Sequence, residues 1–357
     1  MIAFRAAGAL FAALVFITPA LAQRRERTVD TWKPVHYDVA ITLNDQLTEI
    51  ARAQAEITAQ ILKDNASMID LDFGSMSIDA VTVGAQPARY ERRPDTLNVF
   101  LDHPAPVGDK VSIVVTYHGR PTDGLVFTGD RDGKPSATGD NWPNRVHQWI
   151  PCLDHPSAKA TVSFTVTAPP RDLVVANGKL LTMTRNGPAP TVWRFEESKP
   201  IPPYCMVIAV SEGAKLDANQ TTVTPLSFYV PQRDRAFAAK GFSPAAPALA
   251  FFSETIAPYP YEKLALIIGA TRFGGMENSS AIVFTSTLFD PRGNEKMSKR
   301  FGIPARTEDV VAHEIAHQWF GDSVTESTWA DLWLSEGFAT YFAGLFIEKY
   351  DGDDAFR

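Results

Sequence analysis

Two histidines four residues apart constrain the fold of this chain more than any other feature of its sequence. His313 and His317 stand in the stretch "VVAHEIAHQWF", and Glu336 follows nineteen residues after the second of them. On an α-helix, residues four apart lie one turn apart on nearly the same face, so the two imidazoles are directed at a single point. The pattern therefore predicts one helix that carries both histidines and a second helix that brings Glu336 against it.

Glu314 lies beside this histidine face and not on it, because neighbouring helical residues are rotated by about 100°. A carboxylate placed there suits a base that acts on a water at the metal better than it suits a metal ligand. Two imidazoles and one carboxylate, with a fourth position left open, are the ligand set of catalytic zinc sites. The spacing predicts one Zn²⁺ per chain, bound by His313, His317 and Glu336, with Glu314 as the general base.

The part of the sequence from about residue 30 to residue 215 has the texture of a β domain. Short segments rich in β-branched and aromatic residues are separated by turn signals, and no helical pattern of 10 to 15 residues interrupts them. Asn177-Gly178 is a dipeptide typical of a tight hairpin turn. The predicted strands include residues 38–43, 111–117, 161–167 and 206–210.

Helical patterns begin after residue 216. Ser243-Pro244 predicts a helix start, and two apolar runs, residues 264–269 and 281–285, predict strands. Thr307 opens the histidine helix, which is predicted to end near Gly321. The helix with Glu336 is predicted over residues 331–350. The predicted fold is therefore an α+β multidomain protein, with an N-terminal β-sandwich or sheet domain over residues 23–215 and a catalytic domain over residues 216–357.

The composition and the first residues predict a secreted protein. With 45% hydrophobic and 21% charged residues and a net charge of −7, the chain is typical of a soluble globular protein, and without a basic patch it is a poor candidate for nucleic-acid binding. Residues 1–22 have one early cation, a short apolar run and a small-x-small ending, which predict a signal peptide and a periplasmic location. No membrane span is predicted after its removal. The oligomeric state stays open.

The two cysteines and the other histidines carry weaker signals. Cys152 and Cys205 lie beside prolines, and the sequence leaves open whether they form a disulfide in an exported protein. The remaining histidines show no ligand spacing and are predicted to have surface or turn roles; they are His36, His103, His118, His147 and His155.

The stretch "HEIAHQWFGDSVT…WADLWLSEGFATYF" resembles the active-site segment of the gluzincin aminopeptidases, the family that includes aminopeptidase N and leukotriene hydrolase. That family has H-E-x-x-H, eighteen intervening residues and a ligand glutamate, and this chain has the same spacing, with Ser335 in place of the usual asparagine. The resemblance implies a thermolysin-like domain in which His313, His317 and Glu336 bind zinc. It also implies that Glu314 activates the attacking water.

The segment "GGMEN" resembles a second motif of that family. It comprises Gly274, Gly275, Met276, Glu277 and Asn278. Two glycines let the backbone approach an extended substrate closely. The carboxylate of Glu277 is suited to a free α-ammonium, which would select the first peptide bond. The resemblance implies that these five residues bind peptide substrates with a free N-terminus. It also extends into the N-terminal half, through "PVHYDVAITL", "IPCLDHPSAKATVSFTV" and "VVANGKL".

The chain departs from the family pattern at the substrate-amine site. The family usually has a glutamine nine residues before the proline-cysteine pair, and Trp142 stands at that position here. Neighbouring Asp140 or Asn141 could replace it, or the segment could be a packing loop around Trp142.

A second departure concerns the oxyanion. A tyrosine that holds it in the family would lie beyond Arg357, and Tyr341 is too close to Glu336 to take its place. We therefore expect the chain to be the front part of a longer protein, with a C-terminally incomplete catalytic domain. Three functions stay open: a zinc aminopeptidase, a zinc endopeptidase or non-peptide hydrolase of the same family, and a non-catalytic protein that binds zinc and peptides.

Overall fold

A computed structural model of the chain describes residues 26–130, 132–218, 224–289 and 306–352. The predicted signal peptide, residues 1–22, lies outside the described residues. The strands are β1 (Trp32–Leu43), β2 (Ile50–Ile61), β3 (Ala66–Asp72), β4 (Ser77–Val83), β5 (Gln86–Pro87), β6 (Tyr90–Arg93), β7 (Thr96–Ala105), β8 (Lys110–Gly119), β9 (Gly124–Gly129), β10 (Pro135–Asp140), β11 (Ala160–Ala168), β12 (Leu173–Ala176), β13 (Lys179–Thr184), β14 (Thr191–Ile201), β15 (Ile208–Ser211), β16 (Ala214–Asp217), β17 (Leu226–Val230), β18 (Leu264–Gly269), β19 (Gly275–Met276) and β20 (Ala281–Thr285).

The α-helices of the described residues are confined to the C-terminal part. They are α1 (Arg235–Gly241), α2 (Ala245–Thr255), α3 (Thr307–Ala316) and α4 (Leu332–Asp351). Short 3₁₀ turns occur at Val146–Gln148, Pro203–Cys205, Gln232–Asp234, Ser286–Phe289 and Trp329–Asp331. None of the helices in these described ranges is long and apolar enough to cross a membrane.

Three sheets build the N-terminal half around one core, as the alternating sequence pattern predicts. The largest has the strand order β13-β14-β11-β1-β2-β8-β4-β5, and β1 and β11 run parallel in it. A three-stranded sheet, β3-β7-β6, and a four-stranded sheet, β12-β15-β10-β9, supply residues to the same core. In β1, Tyr37, Val39 and Ile41 are buried and their neighbours are not, because successive side chains of a strand point to opposite faces. The prediction of an N-terminal β domain is confirmed.

The predicted hairpin at Asn177-Gly178 is wrong. β12 pairs with β15 and β13 pairs with β14, so the dipeptide carries the chain from one sheet to another. Gly178 has a φ of +71°, and a Cβ there would lie 1.9 Å from the carbonyl oxygen of Glu196. Asn-Gly is favoured in hairpins because glycine adopts a positive φ, and here the positive φ occurs where the chain passes from one sheet to another. The sequence of the dipeptide does not distinguish the two cases, because the difference lies in which distant strands pair.

A five-stranded sheet begins the C-terminal half and explains its continuous apolar runs. Its order is β16-β17-β18-β20-β19, with β17, β18 and β20 parallel. One face of β18 packs under helices α2, α3 and α4, and the other face, with Ala265 and Ile267, packs on the N-terminal domain at Val175 and Val207. Because β18 is buried on both faces, its sequence is a continuous apolar run and does not alternate between apolar and polar residues. The predicted domain boundary at residue 215 falls within β16 and stays a prediction.

Helices α3 and α4 lie close to their predicted bounds. α3 begins at Thr307 as predicted, but it ends at Ala316 and not near Gly321. A tight turn follows, in which Gly321 has a φ of +122° that a helix cannot continue. α4 begins one residue after the predicted start. Phe320, in the turn, stacks on Phe338 and Phe342 of α4 with ring centroids 4.9 and 5.1 Å apart, which holds the two helices together.

Candidate metal and catalytic centre

The structure brings the three predicted zinc ligands together. Nε2 of His313 lies 2.9 Å from Nε2 of His317, and Oε2 of Glu336 lies 3.3 and 3.6 Å from these two nitrogens. Ligand atoms bonded to a tetrahedral zinc at about 2.0–2.1 Å are separated by about 3.3 Å from one another. The three atoms are therefore spaced as one Zn²⁺ requires.

The other ring nitrogens show which face each imidazole presents to the metal. Nδ1 of His317 lies 2.9 Å from the carbonyl oxygen of Phe320, which accepts only, so this nitrogen carries the proton. Nδ1 of His313 faces the hydroxyl of Thr340 at 3.4 Å. Nε2 of each ring therefore faces the other histidine and Glu336, and two imidazoles with one carboxylate are a donor set that fits zinc.

Ser335, which replaces the family's asparagine, keeps a role beside the ligands. Its hydroxyl donates to the carbonyl oxygen of Phe320 at 3.1 Å and lies 3.3 Å from Nδ1 of His317. A Cβ on Gly321 would come within 2.6 Å of this hydroxyl. The small serine and the glycine therefore form one tightly packed support behind His317.

The two histidines differ in their electrostatic surroundings. Burial lowers the pKa of His313, and the neighbouring His317 lowers it further, which favours the neutral imidazole that binds metals. Burial also works against a charge on His317, but the carboxylates of Glu336 and Glu277 outweigh it and raise the pKa of His317 well above its usual value. Burial opposes ionisation of Glu336 as well, yet the two histidines hold its pKa well below the usual range.

Glu314 lies against the "GGMEN" strand. Its side chain is 6% exposed, and burial raises its pKa well above the usual value. A Cβ on Gly275 would lie 2.4 Å from Cγ of Glu314 and 2.5 Å from its Cδ. Gly275 is held in β19 by pairing with Phe284. The glycine is thus required by the packing of Glu314, a reason that differs from the substrate approach predicted from the sequence.

Met276, Glu277 and Asn278 of this motif are buried, and Gly274 is half-buried. Glu277 is 7% exposed, and burial raises its pKa to about 7. Met276 packs against Tyr204, and Asn278 is fully buried, with no hydrogen-bond partner for its side-chain amide within the described part of the chain. Gly274 accepts a hydrogen bond from the backbone of Thr285. Glu277 is therefore buried near the candidate zinc site, close enough for its carboxylate to interact with the charges of His317 and Glu336.

Gln318 connects the two motifs and was missed from the sequence. Its Nε2 donates to the carbonyl oxygen of Glu277 and to Oδ2 of Asp322, both at 2.8 Å. Its Oε1 accepts from the hydroxyl of Tyr259 at 3.0 Å and from the backbone N–H of Ser280 at 2.8 Å. An amide next to a ligand histidine in an otherwise apolar stretch is the only sequence signal that could have indicated it.

The segment around Trp142 does not supply a substitute amide or carboxylate. Asp140 is fully buried and lies 3.0 Å from the guanidinium of Arg145, and Oδ1 of Asn141 accepts from the indole of Trp149 at 2.8 Å. Both side chains are committed to structural partners. Trp142 itself packs edge-on against Trp329, with ring centroids 6.0 Å apart. Of the alternatives predicted for this segment, the packing loop is the one that the structure shows.

Two histidines outside the centre lie in turns, as predicted, and both are buried. His147 is 3% exposed and its Nδ1 lies 2.6 Å from Asp154. His155 is 4% exposed and its Nε2 lies 3.0 Å from Glu26. Cys152 and Cys205 are buried thiols that are not joined by a disulfide. The local sequences around these four residues gave no indication of burial, because burial depends on the sheets that pack around them.

Comparisons with known proteins agree with this architecture. A family model described as the peptidase M1 N-terminal domain matches residues 33–205, and one described as the peptidase family M1 domain matches residues 242–356. "Probable aminopeptidase 1" of Saccharolobus solfataricus is 26% identical over 289 residues, covering 79% of this chain and 35% of the relative. "Aminopeptidase M1-A" of Oryza sativa is 30% identical over 276 residues, covering 74% of this chain and 31% of the relative.

The solved structures show the same similarity. The M1 zinc metallopeptidase from Deinococcus radiodurans superposes with a TM-score of 0.75 and 26% identity, over 90% of this chain and 72% of that one. The chain spans about a third of the length of the two curated relatives. The family resemblance and the fold class predicted from the sequence are both confirmed. The β domain, the zinc-spaced triad and the matches to both M1 models establish that this chain belongs to the peptidase M1 family.

Proposed function

We propose that this protein is a zinc-dependent aminopeptidase that hydrolyses the first peptide bond of peptides with a free N-terminus. The observation that carries the proposal is the convergence of His313, His317 and Glu336 on one point, with the buried carboxylates of Glu314 and Glu277 beside it. Relatives named aminopeptidases support the substrate class. One zinc ion per chain is the stoichiometry that a single triad accommodates.

The zinc ion and Glu314 have different roles in the proposed reaction. Zinc, when bound, supplies a Lewis acid that polarises the scissile carbonyl and acidifies a water molecule. Glu314 takes the proton of the attacking water and returns it to the leaving amine. Burial raises the pKa of this carboxyl group, and a base with a raised pKa holds the proton between the two steps more readily.

Glu277 determines which bond is cut. Its buried carboxylate pairs with the α-ammonium of the substrate, and a charge-assisted contact of this kind fixes the position of the first residue. A blocked N-terminus removes the charge and leaves the carboxylate of Glu277 buried without a partner. The protein should therefore reject acetylated peptides.

The test compares a leucyl peptide with its N-acetylated form, using wild type and Glu314→Gln. We expect turnover of the free peptide only, a loss of about 10²–10⁴-fold in kcat in the variant, and unchanged zinc content by mass spectrometry. Cleavage of the acetylated peptide would indicate an endopeptidase, and turnover no faster than with free zinc would indicate a binding protein. A fully active Glu314→Gln variant would exclude Glu314 as the base.

We further propose that the protein is exported to the periplasm after cleavage of residues 1–22. The support is the charge and apolar pattern of that segment. Mass spectrometry of the protein from its source should find a mature N-terminus at Gln23 in the periplasmic fraction. An intact Met1 in the cytoplasm would refute this location.

A further inference from the structure

Four successive backbone carbonyl groups follow the histidine helix, and each accepts a hydrogen bond from a side chain. We call residues 320–323 the carbonyl row. The first carbonyl oxygen, of Phe320, accepts from Nδ1 of His317 at 2.9 Å. Because that bond fixes the ring orientation and the proton position of a zinc ligand, the location of the carbonyl row determines where Nε2 of His317 points.

The other three carbonyl groups of the row are held from the N-terminal β domain. The hydroxyl of Tyr204 donates to the carbonyl oxygen of Gly321 at 3.3 Å. Nζ of Lys159 donates to the carbonyl oxygens of Asp322 and Ser323, at 2.7 and 2.8 Å. Lys159 immediately precedes β11, and Tyr204 lies in the 3₁₀ turn Pro203–Cys205. The connection between α3 and α4 is therefore attached to the other domain by side chains about 120 to 160 residues away.

The two hydrogen bonds of Lys159 are charge-assisted. A charged ammonium bound to two carbonyl oxygens makes shorter and stronger hydrogen bonds than a neutral donor does. The Asp322 side chain is also held, because Sγ of Cys205 donates to its Oδ1 at 3.1 Å. Burial lowers the pKa of Lys159, and the nearby Asp322 partly offsets this. Lys159 stands in "IPCLDHPSAKATVSFTV", a segment that neither the metal site nor the substrate site uses directly.

We propose that Lys159 and Tyr204 are positioning residues of the zinc centre. By holding the carbonyl row from the β domain, they keep the Phe320 carbonyl where it orients His317. The affinity for zinc therefore depends on a domain that supplies no zinc ligand. This inference rests on the proposed zinc centre and not on peptidase activity, so its test measures metal binding.

The test determines the zinc dissociation constant of the full chain by competition with a chromogenic chelator. Loss of a partner that orients a metal ligand costs about 10- to 100-fold in affinity, and Lys159 acts one contact further away, so we expect a loss of about tenfold for Lys159→Met. Lys159→Arg, which retains a cation, should recover part of it. Lys179→Met is the matched control, because Lys179 is exposed on β13 and should bind zinc as wild type does.

A second variant and a spectroscopic signal separate positioning from simple stabilisation. Tyr204→Phe removes one hydroxyl and should weaken zinc binding in the same direction by a smaller factor, so it carries the test if Lys159→Met does not fold. The visible spectrum of the Co²⁺-substituted protein should change in both variants and not in Lys179→Met. Wild-type zinc affinity and wild-type Co²⁺ spectra in these variants, with or without a lower Tm, would overturn the proposal.

Discussion

Replacing Gly275 by alanine should remove most of the catalytic rate while leaving the three candidate zinc ligands and Glu277 unchanged. The added Cβ would lie 2.4 Å from Cγ and 2.5 Å from Cδ and Oε1 of Glu314. Non-bonded carbon atoms rest about 3.5–4.0 Å apart, so one of the two groups has to move by about 1 Å. β19 is held by pairing with β20, and Glu314 is a side chain, so we expect Glu314 to move.

The magnitude follows from that displacement. Misplacing a catalytic group by about 1 Å costs about 10²-fold in rate. His313 lies on α3, His317 follows its last residue and Glu336 lies on α4, and the three atoms nearest a Cβ at Gly275 all belong to Glu314, so the zinc content should not change. Because Glu277 is two residues away and keeps its own contacts, KM for a free peptide should change much less than kcat.

The assay is steady-state hydrolysis of a leucyl fluorogenic substrate, with zinc measured on the same samples. Gly337→Ala is the matched control, since no atom of the described residues beyond its own helix backbone and chain neighbours lies within 4 Å of a Cβ at Gly337. In the interior of α4 that change should stabilise the helix by up to about 1 kcal/mol and leave kcat unchanged. A Gly275→Ala variant with wild-type kcat would refute the argument that this glycine positions Glu314. Loss of zinc from the variant would show that the substitution also disturbs the zinc ligands and not Glu314 alone.

Two further predictions concern stability. Gln318→Leu removes four buried hydrogen bonds, and only the Tyr259 hydroxyl keeps a second acceptor, the Lys263 carbonyl, among the described contacts. Urea unfolding should therefore show a loss of about 3 kcal/mol or more, and a loss below 1 kcal/mol would contradict the bridging role. Burial raises the pKa of Asp172 to about 6, so its contribution to stability is present below about pH 4 and is lost as the pH rises through 6. Asp172→Asn should therefore raise the free energy of unfolding at pH 8 by about 1–2 kcal/mol after solvent screening, and by nothing near pH 3.5; an equal effect at both pH values would contradict this.

The local elements of the catalytic half could be predicted from the sequence because their signals are local. β18 and β20 have the predicted bounds, and α3 begins at the predicted Thr307. The apolar runs and the acids in the first helical turn act over only a few residues. The four-residue spacing of His313 and His317 likewise requires their rings to share one helix face. The same logic failed at Asn177-Gly178, where a local turn preference is used at a crossing between sheets.

The supports of the site could not be predicted, because they depend on residues that are far apart in the chain. Nothing near Gly275 in the sequence indicates that Glu314 will occupy the space of its missing Cβ. Lys159 and Asp322 are separated by 163 positions, and their contact exists only because one face of the catalytic sheet packs on the β domain. A single sequence contains no periodicity that relates such positions.

The sequence by itself predicted the candidate metal-binding residues and the candidate base, since short-range helix geometry and ligand chemistry are enough for these, and its motifs carried the resemblance to the family. Only the tertiary structure decided how those residues are held: a glycine that makes room for Glu314, a glutamine that joins two motifs, and carbonyl groups attached to another domain. The physical reason is that a ligand's identity follows from its own chemistry. Its orientation follows from the hydrogen bonds and packing around it, which form only when distant parts of the chain meet.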